Sequence, residues 1–158
     1  MNKSKTHRGF SLIELLIVVA ILAILAAIAI PNLLASRRAA NEGSAQSSLR
    51  TIHTCEALYK ATSPNGSYGT LNDLRGQFLT DNVLASGFKS GYSFAATATS
   101  AGMGAQFYAS AVPISTSGVG LSGTRRFAIT EDGVQRGDAT FDVPADHTEA
   151  QGIQPLSN

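Results

Sequence analysis

The residues best placed to do chemistry lie near the start of the chain. Phe10 to Ile30 is a run of 21 residues in which only Ser11 and Glu14 are polar, and Glu14 carries its only charge. A carboxylate inside an apolar membrane helix costs about 2.5–3.5 kcal/mol on insertion scales, so it marks a functional position that needs a cationic partner. Immediately before the run stands Arg8-Gly9-Phe10. Glycine has no side chain and lets another molecule approach the backbone closely, which suits a cleavage point between Gly9 and Phe10. A cut there leaves the whole apolar run on the mature chain.

Elsewhere the reactive residue types do not combine. His7, His53 and His147 are far apart in sequence, and no hydrolase triad is expected. His53 and Cys55 are two residues apart on a helix and point to different faces, so they do not form a metal pair. Asp138, Asp142 and Asp146 lack the glycine and terminal Glu of a calcium loop. Asp132-Gly133 reads as a hairpin turn. Asn65-Gly66-Ser67 matches a glycosylation sequon, but Asn-Gly is also a turn signal. Arg125-Arg126, with no other basic residue beside it, does not make a nucleic-acid groove. Catalysis, a metal and a cofactor are not expected. Cys55 is the only cysteine; it cannot form an intramolecular disulfide and reads as a small buried residue.

The elements that must position Glu14 follow from hydropathy. About 20 apolar residues cross a bilayer as a helix, so 10–31 is read as a membrane or filament-core helix. Pro31 falls within the helical pattern and removes a backbone hydrogen bond, which predicts a kink there. Residues 32–62 continue as an amphipathic helix, with Ala45, Leu49, Ile52, Cys55 or Glu56, and Tyr59 along one face. Ser63-Pro64-Asn65-Gly66 ends it. Residues 63–143 then read as a globular head of about four short antiparallel strands: Tyr92 to Thr99, Ala105 to Val112, Arg125 to Thr130 and Val134 to Arg136. Phe141 and Val143 are expected to add an edge contact, and Thr70 to Phe78 reads as a short helix or loop. Residues 144–158 are expected to be a loose polar tail. The fold class is α+β.

Charge gives the orientation. Lys3, Lys5 and Arg8 precede the apolar run, whereas Arg37 and Arg38 lie beyond it. Basic residues favour the cytoplasmic side, so the N-terminus is expected inside and the head outside. The formal net charge of +1 gives no reason to expect a nucleic-acid partner. Once out of lipid, the apolar run must be buried elsewhere, and a bundle of identical helices would do this. Head-to-tail association with a non-closing rotation builds a helical fibre.

The stretch Gly9-Phe10-Ser11-Leu12-Ile13-Glu14-Leu15-Leu16-Ile17-Val18-Val19 resembles the N-terminal signal of type IV prepilins and of type II secretion pseudopilins. The resemblance is specific over about the first 40 residues and includes Pro31. It is looser at Tyr68-Gly69-Thr70-Leu71 and over the hairpin between Gly123 and Gly137. It implies a ladle-shaped subunit whose long helix packs half its length on a small antiparallel sheet. It also implies that a leader, 1–9, is cut off between Gly9 and Phe10 by a prepilin peptidase, which methylates the new amine of Phe10. The cation for Glu14 is then the Phe10 amine of a neighbouring subunit, and an inner-membrane platform drives assembly. The main expectation is a type IV pilus subunit without catalytic activity. A major pseudopilin of a type II secretion system is the alternative. The missing disulfide leans to the second, the polar tail and the Ala/Ser/Gly-rich head to the first.

Overall fold

The computed structural model describes residues 9–99 and 104–156. The basic leader positions Lys3, Lys5, His7 and Arg8, and the last two residues of the expected tail, lie outside the described residues. The chain divides into two compact units, Met1–Ser36 and Arg37–Asn158.

Helix α1, Leu12–Thr62, is continuous and runs through both units. Leu, Ile, Ala and Val dominate its first part, where no glycine interrupts them. Between Leu12 and Leu33 the large apolar side chains are each 47–81% exposed. The helix is long and apolar enough there to cross a membrane.

In the second unit α1 becomes two-faced. Glu42, Ala45, Ser48, Leu49, Ile52, Cys55 and Glu56 are buried, at spacings of three and four that set them on one stripe. This stripe extends the apolar face read from the sequence by one turn, to Glu42. It shares a core with Phe94, Phe107, Ala109, Ala111, Phe127 and Ile129 of the sheet. Each large apolar side chain so buried stabilises the fold by roughly 1.5–3 kcal/mol. Cys55 is buried, as expected, and its thiol donates to the Phe78 carbonyl (3.2 Å).

The sheet is an antiparallel meander in the order β1 to β5: Phe88–Lys89, Tyr92–Ala98, Phe107–Pro113, Arg126–Thr130 and Gln135–Asp138. There are thus five strands where about four are expected. The extra one, β1, has two residues, too few to show any period. The turn around Asp132-Gly133 is as read, with Gly133 at φ +73°. Between the long helix and the sheet, two four-residue helices, Leu71–Leu74 (α2) and Asn82–Ala85 (α3), are capped by Thr70 and Asp81. Thr70 to Phe78 therefore begins as a helix.

Two expectations fail. The tail is not loose: Asp146 caps a helix, His147–Gly152 (α4), by accepting from the Glu149 N–H (2.8 Å). Ala150 and Ile153 pack on Tyr108 and Ala128, on the opposite face of the sheet from α1's core. Gly137 and Leu156 then pair backbone to backbone with Gln154 and Gln135 along the outer edge of β5. Covered on both faces, every residue of β3 and β4 is buried. The edge contact expected of Phe141 and Val143 does not form either. They lie outside any strand and are exposed, because α4 and the segment after it occupy that edge.

Candidate assembly site at the helix start

Glu14 sits in the first turn of α1. Its Oε2 accepts a hydrogen bond from the Ser11 backbone N–H (2.9 Å). Ser11 directly precedes the helix, so this is the acidic half of a capping box. The first N–H groups of a helix have no partner within it, and a carboxylate also favours the positive end of the helix dipole. The signal for it stands in Ser11-Leu12-Ile13-Glu14, a Ser-x-x-Glu pattern opening an apolar run. Glu14 therefore has a local role within the chain.

Gly9 and Phe10 precede the helix, and Phe10 is 82% exposed. A Cβ added at Gly9 would meet nothing within 4 Å. Packing among the described residues gives no reason for glycine there. Pro31 lies inside α1, which continues past it without a break. Its missing N–H leaves the Ala27 carbonyl without its usual helical donor.

Two further acids, absent from the sequence-based set, fasten α1 within the second unit. Glu42 accepts from the Thr124 N–H and hydroxyl (2.7 Å each) and from Arg125 (3.3 Å). Burial raises its pKa, but these donors outweigh it and hold the carboxyl below its ordinary value. Glu56 is fully buried and accepts from the Gly69 N–H (2.9 Å), while its Oε1 has no partner. Burial and then the charge of Asp73, opposed by the Gly69 hydrogen bond, push its pKa up to about 7. The role of Glu42 was not legible in advance, since its partners lie more than 80 residues away; Glu56 stood as a candidate on the packing face, but its partner Gly69 did not show in the sequence.

The remaining candidates are structural. His147 is buried and pairs with Glu131 (2.8 Å). His53 approaches the Glu131 carbonyl (3.4 Å) and the Phe107 ring. Asp132 holds Arg136 and the Val134 N–H across the hairpin. Arg125 and Arg126 point to opposite faces of the sheet. Arg126 is buried against Asp138 (2.9 Å), Glu149 (3.0 Å) and the Asp142 carbonyl (2.8 Å). Among the described residues no three His, Cys, Asp or Glu side chains come together as a metal-ligand set.

Comparison with known proteins bears on the first of these sites. Residues 4–30 match the family described as the prokaryotic N-terminal methylation motif. The chain is 49% identical over 64 residues, 40% of its length, to the type IV wide pilus major component of Thermus thermophilus. It is 45% identical over 53 residues, 34% of its length, to the type IV major pilin of Myxococcus xanthus. The matches span 47% and 24% of those relatives. No solved structure matches the chain significantly. With Gly9, Phe10 and Glu14 inside the matched segment, the chain carries the prokaryotic N-terminal methylation motif, and its homologues are type IV pilins.

Proposed function

We propose that this chain is the structural subunit of a type IV pilus-like filament, anchored in the inner membrane by 10–31 before assembly and carried to the cell surface by it. The observation that carries the proposal is the first part of α1: more than five turns of apolar side chains, none packed among the described residues, with a single acid at the start. A surface of that kind is stable in lipid or against its own copies.

A prepilin peptidase cuts between Gly9 and Phe10 and methylates the Phe10 amine. The open surroundings of Gly9 support this, because they leave the bond accessible. Glu14 then has two oxygens for two tasks. Oε2 keeps the Ser11 cap, and Oε1 meets the Phe10 ammonium of a neighbouring copy in the dry core. A buried ion pair is tolerable when complete and costs about 3–5 kcal/mol when one partner is lost, so the pairing also sets the axial register. Pro31 lets the stretch from Ala27 to Leu34 open during packing. In the chain on its own that stretch is helical, so the opening belongs to the assembled state. Both relatives reported above are named as pilus components, and on that support the pilus is put before the secretion pseudopilus.

The test is a pair of substitutions. Glu14→Gln can still accept from Ser11 N–H but cannot neutralise an ammonium, whereas Glu14→Ala loses both. Both variants should be cleaved normally and should fail to form surface fibres by electron microscopy. Normal fibres from Glu14→Gln would refute the ion-pair mechanism. Absence of surface fibres in wild-type cells, with loss of secreted enzymes on deleting the gene, would instead favour the pseudopilus.

A further inference from the structure

The second unit contains a cleft of about 390 Å³ lined by Gln46 and Arg50 of α1, Arg125, Gly133 to Gln135 of the β4–β5 turn, and Leu156. Its two charged lining residues are both arginines. Gln46 and Arg50 stand one turn apart on the exposed side of the buried stripe, so the helix presents both to the same groove.

The cleft is ordered by its own hydrogen bonds. Gln135 donates through Nε2 to the Gln46 carbonyl and accepts through Oε1 from Arg50 Nε (3.2 Å). That amide aims the Arg50 guanidinium without neutralising it. Among the described residues no carboxylate lies within 4.0 Å of Arg50. Arg125 reaches Glu42 only at 3.3 Å, the longest of that acid's contacts, and lies 5.7 Å from the Phe127 ring centroid. The charge of Arg125 is thus shared with an acid already supplied by Thr124. Leu156, fixed by its N–H to the Gln135 carbonyl (2.9 Å), and Val134 supply the apolar part of the lining.

Two guanidiniums without a lining acid select an oxyanion, for which their planar donor forks are suited. The volume exceeds what one bare ion fills and lies at the lower end of small-molecule sites, about 300–1,000 Å³. The lining adds amide groups for hydroxyls and two aliphatic side chains for a C–H face. The geometry points to a binding site for a carboxylate-bearing ligand of monosaccharide size, a sugar acid, held by Arg50 and Arg125. This site is independent of the apolar helix and of Glu14.

Titration calorimetry of the detergent-solubilised full chain tests it, with sodium glucuronate as the probe and glucose and sodium sulfate as controls. Glucuronate should bind saturably, glucose should give no signal, and sulfate should bind at least tenfold more weakly. Arg50→Gln should weaken glucuronate at least tenfold; Arg50 is exposed and its loss leaves the core intact. Leu156→Glu, which sets an anion at the wall, should abolish binding independently. Glucuronate that does not bind, or binds equally to both variants, overturns the proposal. Sulfate binding as tightly as glucuronate reduces the site to a bare-ion site and overturns the sugar-acid assignment. If glucuronate instead dissociates pre-formed oligomers in light scattering and shows no heat with monomers, the cleft holds a carboxylate of a second copy, and the free-ligand proposal is lost.

Discussion

Replacing Glu56 by glutamine tests whether α1 is seated on the sheet at an electrostatic cost. Glu56 is fully buried, one oxygen bonded to the Gly69 N–H and the other unpartnered. Its charged form is disfavoured by burial and by Asp73, so it titrates at about 7, against an ordinary 4.5. Below pH 4.5 both folded and unfolded chains hold the proton and the site is neutral in stability. Between 4.5 and 7 the unfolded chain releases it while the folded chain keeps it, so stability falls as pH rises. Above 7 the full cost remains, on the order of 3 kcal/mol at about 1.4 kcal/mol per pKa unit. Glutamine removes the charge and retains the acceptor for Gly69, but its amide N–H groups lie where Oε1 is unpartnered, at a cost of about 1 kcal/mol. The variant should therefore be about 2 kcal/mol more stable at pH 8. That raises the melting midpoint by roughly 8 °C, at about 4 °C per kcal/mol for a chain of this size. At pH 4 the gain should vanish or reverse slightly. The assay is thermal unfolding of the full chain and variant in detergent, followed by near-ultraviolet circular dichroism across this pH range. Only the difference between the two curves matters, because the acids other than Asp73, which is coupled to Glu56, contribute equally to both. A difference that does not change with pH would refute the reasoning.

Gly9→Ala should leave the melting midpoint unchanged to within about 0.5 kcal/mol, since the added Cβ meets nothing, yet block leader removal in cells; a destabilised variant contradicts this. Gly123→Ala should destabilise by about 1–3 kcal/mol or more in urea unfolding, because its Cβ would overlap the Tyr92 ring, whose hydroxyl donates to the Arg125 carbonyl (2.9 Å). The Arg136 guanidinium beside Asp132, against the opposing effect of burial, holds that carboxyl far below its ordinary value of 3.8. Its stabilisation is therefore present at neutral pH and lost as pH falls below about 4. Asp132→Asn should cost about 1–2 kcal/mol at pH 7 and progressively less as pH falls below about 4, a figure discounted for the partial exposure of the pair.

What the sequence by itself determined is what depends on composition and short spacings. The membrane-length helix, the glycine before the apolar run, the acid at the fifth position beyond it, the helix-ending Ser63-Pro64-Asn65-Gly66 and the Asp132-Gly133 turn each rest on neighbours within a few residues. The Ser11–Glu14 cap was equally local and legible, though overshadowed by the charge. The tertiary structure decided what depends on contacts across the chain. Phe107 to Val112 shows little strand alternation because α4 covers the face that would otherwise be polar. His147 and Ile153 look like parts of a polar tail until the sheet supplies Glu131, Tyr108 and Ala128. Glu42 reads as an ordinary helix acid until folding brings Thr124 to it, and Glu56, already on the packing face, has no visible partner until folding brings Gly69. Arg125 and Arg126 are adjacent in sequence, but the pleat sends one to the cleft and the other into an acid cluster. A local pattern shows which face a residue occupies; only packing decides what meets it there.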